Sequence, residues 1–212
     1  SFATYRFFCW MSETLHFGEA LCIDEMPFEL MNINMSGQFS THIVSSVVAG
    51  FVLAFPYIFW EIWRFIKPAL HNSEKKYSRG VVFYTSLLFT MGVLFGYYAV
   101  APLSVQFLGN YQVSSEVFNQ INLNSYISTV TTVCLANGIV FLLPVLIYFL
   151  SKLGLITPAF LRQYRRHALI ILMILAAIIT PPDIMSLILV TFPLMLLYEV
   201  SIKVSARFQD QE

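Results

Sequence analysis

Residues 168–202 read ALIILMILAAIITPPDIMSLILVTFPLMLLYEVSI, two apolar runs joined by Thr180-Pro181-Pro182-Asp183. The first run, 168–179, would form a helix about 18 Å long, which is short of the roughly 30 Å of hydrocarbon in a bilayer. Two adjacent prolines remove two backbone donors and disfavour helix, so the pattern predicts a sharp reversal. A hairpin this short must thin the bilayer, recruit flanking residues, or face a protein-lined or wet cavity.

Longer apolar stretches precede this hairpin. Hydrophobic residues make up 58% of the chain and charged residues 11%, with a mean hydropathy of +0.71, which excludes an ordinary soluble domain. The sequence therefore predicts an all-α, polytopic membrane protein with five spans, the last two short. The predicted spans are 42–66, 81–108, 126–150, 168–179 and 184–202. Prolines within or at the ends of these spans predict kinks and a concave overall shape: Pro56, Pro102, Pro144 and Pro193.

The positions of the basic residues predict the topology. Apart from Arg6, all of the 12 Lys and Arg residues lie in or beside three short segments that alternate with loops almost free of basic charge. By the positive-inside rule, those segments are cytoplasmic. The predicted cytoplasmic segments are 67–80, 151–167 and the tail 203–212, and the predicted periplasmic segments are 1–41, 109–125 and 180–183.

The segment 1–41 leads to two further expectations. An external N-terminal segment followed by five spans requires a signal or an earlier helix, so we expect one more span before it, six in all. Cys9 and Cys22 share this segment, where an oxidising compartment permits a disulfide, although two unpaired thiols are the alternative. Cys134 lies inside a span and is expected to be a small packing residue.

Three motifs in order resemble the TatC family, the polytopic receptor of the twin-arginine translocase. The first is Trp60 to Leu70, reading WEIWRFIKPAL, followed by Ser73-Glu74-Lys75-Lys76. The second is Gly154-Leu155-Ile156-Thr157-Pro158 with Leu161-Arg162, and the third is the turn 180–183. The resemblance covers essentially the whole chain and implies a bacterial cytoplasmic (inner) membrane protein that binds the signal peptides of folded cargo.

The resemblance also implies where the signal peptide binds. Arginine binds carboxylates through two parallel charge-assisted hydrogen bonds, and Glu74 is the acidic residue of the first cytoplasmic loop. The resemblance favours Glu74 as the partner of the arginine pair, although a solvated acid balancing its basic neighbours is the alternative. The residues predicted to complete the site are Phe65, Pro68, Leu70, Lys75 and Lys76.

Further implied partners are TatA/TatB-like single-span proteins, further copies of the chain, and the lipid bilayer. The family often carries a glutamate where this chain has Leu142, and a glutamine where it has Leu187. Asn137 and Thr180 are therefore candidates for contact with a partner helix, and helix–helix hydrogen bonding is the alternative for Asn137. Two interfacial ion pairs are expected from helical spacing, Glu61 with Arg64 and Glu199 with Lys203.

Other function classes fit less well. A secondary transporter of a small solute is the main alternative, yet the chain shows no convincing internal repeat and its membrane acids lie at span ends. A membrane enzyme is not expected, because the His-Glu-x-x-His and Gly-x-Ser-x-Gly motifs are absent. We expect no cofactor, metal or nucleic acid to be bound, and transport to draw on the proton-motive force, as the resemblance implies.

Overall fold

The computed structural model describes residues 30–66, 78–111, 120–152 and 154–209. These residues are almost entirely helical, with one short pair of strands. The helices are α1 (Gly37–Ile66), α2 (Ser78–Phe95), a π-helical segment (Gly96–Val100), α3 (Ala101–Asn110), α4 (Leu123–Val140), α5 (Leu143–Lys152), α6 (Pro158–Gln163), α7 (Arg165–Ile179) and α8 (Ile184–Gln209). The strands are β1 (Leu30–Met31) and β2 (Ile121–Asn122).

Four helical stretches are long and apolar enough to cross a membrane: Gly37–Phe65, Gly80–Asn110, Leu123–Lys152 and Ile184–Ala206. The predicted class, a polytopic helical membrane protein, is confirmed. The predicted short span 168–179 corresponds to α7, which begins three residues earlier and has 15 residues, about 22 Å of helix. The concave shape stays a prediction.

The last helix is longer than predicted. α8 has 26 residues and continues to Gln209, not to residue 202. The extension buries one face, because Ser201, Ile202 and Ser205 are at most 2% exposed, and the Ser205 hydroxyl shares a hydrogen bond with Ser151 of α5. This spacing of three to four residues keeps one face of α8 packed against the fold beyond the predicted span.

Two of the prolines interrupt helices, as predicted. Ahead of Pro102 the helix widens into the π-helical segment, where the N–H of Ala101 donates to the carbonyl of Gly96. Proline has no N–H and its ring clashes with the preceding turn, and a π-helical turn is a common way to absorb such a break. Before Pro144 a turn at Phe141 and Leu142 separates α4 from α5, whereas Pro56 and Pro193 lie inside continuous helices.

The tightest packing joins α2 and the π-helical segment to α4. A Cβ atom on Gly92 would lie 2.7 Å from the backbone oxygen of Asn137, and one on Gly96 would lie 2.9 Å from the Cα of Cys134. Small residues allow helices to approach this closely within a membrane. Beside the crossing, Phe89 is fully buried and stacks on Phe55 of α1 at a centroid distance of 3.6 Å.

The connecting segments lie at two ends of the fold. We call the end that carries β1 and β2 the strand end. We call the opposite end, which carries Arg64, Arg162, Arg165 and Arg166, the basic end. At the strand end, β1 pairs in parallel with β2, which joins the predicted external segment 1–41 to the predicted external loop 109–125. At the basic end, Trp63 of α1 contacts Phe149 of α5 at 5.1 Å between ring centroids, and Tyr198 of α8 donates to the carbonyl oxygen of Leu161 in α6. At the strand end, parts of two segments predicted on one side of the membrane thus lie together, whereas the contacts at the basic end join predicted spans to one another and to segment 151–167.

Candidate functional site

The C-terminal end of α1 carries the part of the predicted signal-peptide site that the structure describes. Phe65 is 84% exposed, and Trp60 is also exposed. Trp63 is instead buried, against Phe149, so the end of the helix is anchored to α5. The contact holds the last turn of α1 against α5, and the exposed side chains of Trp60 and Phe65 form an apolar surface there.

The rest of the predicted peptide-binding residues lie outside the described residues. They are Pro68, Leu70, Glu74, Lys75 and Lys76. The possible disulfide between Cys9 and Cys22 also lies outside them. Their roles stay predictions.

The two expected ion pairs have different outcomes. Glu61 and Arg64 do pair, at 3.7 Å, with 46% and 74% of their side chains exposed; such a solvated pair contributes little to stability. The predicted pair of Glu199 with Lys203 is wrong, because the Glu199 carboxylate accepts a hydrogen bond from Arg165 at 2.9 Å. Helical periodicity identifies neighbours on one helix, whereas this bond joins the start of α7 to α8.

The turn 180–183 lies where the sequence predicts the reversal. Thr180 is in an extended conformation, as expected for a residue before proline, and both its N–H and its hydroxyl donate to the carbonyl of Ala176 at 2.9 Å. Asp183 then caps α8, since its Oδ2 accepts from the N–H of Ser186 at 2.7 Å. The side chains at the two ends of the turn are buried: Thr180 is 5% exposed and Asp183 is 4% exposed.

A buried hydrogen bond attaches this turn to α3. The hydroxyls of Ser104 and Ser186 lie 3.0 Å apart and both residues are fully buried. The Oδ1 atom of Asp183 has no hydrogen-bond partner within the part of the chain that the structure describes. Sequence reasoning missed Ser104 and Ser186, because single serines in apolar runs give no signal until the fold brings them together.

Asn137 lies inside the protein. It is fully buried, its Nδ2 donates to the carbonyl of Val133 at 2.9 Å, and its backbone borders the close crossing at Gly92. Nearby threonines 129 and 131 also bond carbonyls of their own helix. Within one copy of the chain Asn137 is therefore part of the helix packing, and Thr180 is likewise buried; the contact of either residue with a partner helix stays a prediction. Cys134 is a free, buried thiol, as predicted for a packing residue.

An open cavity of about 360 Å³ lies near the strand end, between α3 and the start of α4. Its lining is uncharged and mixes polar with apolar side chains: Val105, Leu108, Gln120, Ile121, Ser125, Tyr126 and Thr129. Across the described ranges, no group of three or more His, Cys, Asp or Glu residues is placed to hold a metal ion.

Comparison with known proteins gives a consistent result. Residues 2–193 match the family model described as Sec-independent protein translocase protein (TatC). A protein of that name from Blattabacterium is 44% identical over 205 residues, 96% of this chain and 77% of the relative. Another, from Helicobacter pylori J99, is 44% identical over 161 residues, 76% of this chain and 64% of the relative, so the chain spans just under two thirds of that protein.

Solved structures agree with the sequence relatives. A crystal structure described as the twin-arginine translocase receptor TatC superposes with a TM-score of 0.71 at 33% identity, covering 95% of this chain and 89% of the other. A second structure of the same description gives 0.68 at 32% identity. The similarity therefore extends over the fold and over nearly all of the chain.

Proposed function

The chain belongs to the TatC family of Sec-independent protein translocases, and from that premise we propose that it is the receptor subunit of a twin-arginine translocase. It binds the signal peptides of folded cargo and organises their export across the membrane. The observation that carries this proposal is the match of residues 2–193 to the family model together with the superposition on a TatC receptor at a TM-score of 0.71. The comparisons give no support to the alternative of a secondary transporter.

The work of such a receptor is recognition rather than bond-making, and the family is not enzymatic. In this proposal Glu74 accepts hydrogen bonds from the guanidinium groups of the signal peptide's arginine pair, because a carboxylate at the membrane interface matches their geometry and charge. Phe65, Pro68 and Leu70 form the apolar edge of the site, and Lys75 and Lys76 flank it. The exposure of Phe65 and the anchoring of Trp63 support a fixed apolar surface leading into that loop.

The orientation follows from the charge pattern. Segment 1–41 and the strand end face the periplasm, and the basic end and the C-terminus face the cytoplasm of a bacterial inner membrane. The pairing of β1 with β2 supports this proposal, because it joins two segments that the charge rule places on one side.

Partners complete the proposal. TatA/TatB-like single-span proteins and further copies of the chain assemble with it in the bilayer, and transport draws on the proton-motive force. A polar contact to a partner helix through Asn137 or Thr180 remains part of the proposal, although both are buried here. Replacing Asn137 with Leu and finding partner binding unchanged would dismiss that contact.

Export of a folded reporter tests the function. In cells that lack their own receptor, the intact protein should export a reporter whose signal peptide carries Arg-Arg and should fail with Lys-Lys. Phe65→Ala should reduce that export, and Leu53→Ala, at an equally exposed position in the middle of α1, should leave it unchanged. Equal export of the Arg-Arg and Lys-Lys reporters would contradict the proposed receptor site. An equal reduction of export by Phe65→Ala and Leu53→Ala would also contradict it.

A further inference from the structure

Basic and aromatic side chains are exposed at the basic end, where α6 meets α7. They are Phe160, Arg162, Tyr164, Arg166 and His167, and we call them together the α6–α7 patch. We propose that this patch binds the headgroup of an anionic phospholipid. The proposal does not depend on the twin-arginine receptor function.

The aromatic members of the patch form a contiguous surface. The rings of Phe160 and Tyr164 lie 4.5 Å apart, and those of Tyr164 and His167 lie 5.4 Å apart, measured between centroids. Phe160 is 50% and Tyr164 40% exposed. Aromatic side chains with polar edges are typical of the headgroup level of a bilayer, so the rings indicate the depth at which the patch sits.

The charges of the patch are available to an anion. Among the described residues, Arg162 and Arg166 are exposed and neither forms an ion pair with a carboxylate. Arg165 between them is engaged by Glu199, which holds the start of α7 against α8. No acidic residue lies in the first turn of α7. Arg162 and Arg166 are four residues apart, and the backbone hydrogen bonds from Tyr164 to Phe160 and from Ala168 to Tyr164 keep a helical spacing across the junction, which favours one face for both. Two guanidiniums there match a phosphate diester, which they can bind through paired hydrogen bonds.

The neighbouring surface identifies the anion as a lipid. Exposed apolar residues begin at Leu169 and continue along α7 through Ile170, Ile174 and Ile178, so hydrocarbon begins within one turn of Arg166. Because α7 is only about 22 Å long, the headgroups beside it must be drawn toward its ends. Leu155, 70% exposed, adds apolar surface at the same end, which an acyl chain can cover and a free phosphate cannot.

Lipid binding to the purified full chain tests the proposal. In neutral detergent, phosphatidylglycerol or phosphatidylcholine is titrated and the bound lipid is measured by native mass spectrometry. We expect phosphatidylglycerol to bind more tightly, and R162Q/R166Q to weaken it about 30-fold, from the attraction of about two basic groups to an anionic surface. The variant R64Q/K203Q removes the same charge from exposed positions at the basic end and should bind as the unmodified chain does.

Two further arms separate a specific site from other causes. R162K/R166K should restore part of the binding, because lysine keeps the positive charge but cannot form the paired hydrogen bonds of a guanidinium. Equal unfolding temperatures of R162Q/R166Q and R162K/R166K without lipid exclude a folding defect as the cause of the weaker binding. Inorganic phosphate should not displace the lipid. The proposal is overturned if R162Q/R166Q binds phosphatidylglycerol normally, if R64Q/K203Q weakens it equally, or if phosphatidylcholine or inorganic phosphate competes as well as phosphatidylglycerol.

Discussion

In α1 only 6% of the most apolar stretch is buried inside the protein, whereas 44% of the corresponding stretch through α2 and α3 is buried. The same contrast appears in the glycines. A Cβ atom on Gly50 of α1 would meet nothing within 4 Å, but one on Gly92 of α2 would collide with α4. The α2–α4 crossing is therefore held by contacts within the chain, and most of α1 faces the bilayer or another chain. Substitutions at the crossing should affect stability, and those at the exposed end of α1 should affect recognition.

Replacing Gly92 or Gly50 with alanine should give the largest difference in stability between the α2–α4 crossing and α1. Gly92→Ala should destabilise the protein by about 1–3 kcal/mol, because the new methyl group meets backbone atoms that cannot move aside. Gly50→Ala should be neutral or stabilising by up to about 1 kcal/mol, from helix propensity. Thermal unfolding of both variants in one detergent measures the difference. Equal unfolding temperatures would show that the crossing is not tightly packed.

Asp183 tests whether contacts within the chain also stabilise the hairpin of α7 and α8. Asp183→Ala removes a buried helix cap and should cost about 1–2 kcal/mol. Asp183→Asn retains an acceptor for the N–H of Ser186 and should recover most of that loss. Thermal unfolding of the two variants measures this, and a loss in Asp183→Asn as large as in Asp183→Ala would indicate that the charge matters rather than the cap.

The hydrogen bond between Ser104 and Ser186 should contribute a smaller amount. Hydrogen bonds between membrane helices average about 0.6 kcal/mol, so a double-mutant cycle with Ser104→Ala and Ser186→Ala should give a coupling energy near that value. The measurement is the unfolding free energy of the two single variants and the double variant. Strictly additive losses would mean that the bond does not hold α3 to the turn.

Removing the Glu61–Arg64 pair should have the smallest effect. Both side chains are well exposed and 3.7 Å apart, so Glu61→Gln should change stability by well under about 1 kcal/mol. Glu199→Gln is the matched comparison, since it removes the negative charge from a 2.9 Å bond between α7 and α8, and it should cost more. Thermal unfolding of both ranks them, and a larger loss from Glu61→Gln would contradict the contrast between α1 and the rest.

The sequence predicts what depends on local pattern. Apolar runs and the two prolines at 181 and 182 place the spans and the reversal, because helix length and proline sterics act within a few residues. Contacts between distant residues were not predictable. Glu199 has a basic residue one turn along its own helix, yet it pairs with Arg165. Pro102 predicts a kink, but the sequence does not show that the kink takes a π-helical form or that Gly96 lies close to α4.

In the candidate site, too, local sequence pattern supports a prediction, whereas contacts between distant residues were not predictable. The resemblance of residues 60–76 to the TatC family predicts a peptide-binding loop from sequence, and the structure adds that Trp63 anchors the C-terminal end of α1 to α5. From the sequence, Asn137 is a candidate for contact with a partner helix, with helix–helix hydrogen bonding as the alternative. Its full burial at a helix crossing could not be read from the sequence, because the hydropathy pattern does not say which side of α4 meets α2.

Photo-crosslinking at the loop after α1 tests the receptor role most directly. With a crosslinker at His71, close in sequence to Glu74, the intact protein is offered signal peptides carrying Arg-Arg or Lys-Lys. We predict crosslinking that depends on the arginines, is lost in Glu74→Ala, and persists in Glu61→Ala, which removes a carboxylate from the end of α1. Equal labelling by both peptides, or labelling unaffected by Glu74→Ala, would contradict the assignment of a twin-arginine receptor site to this loop.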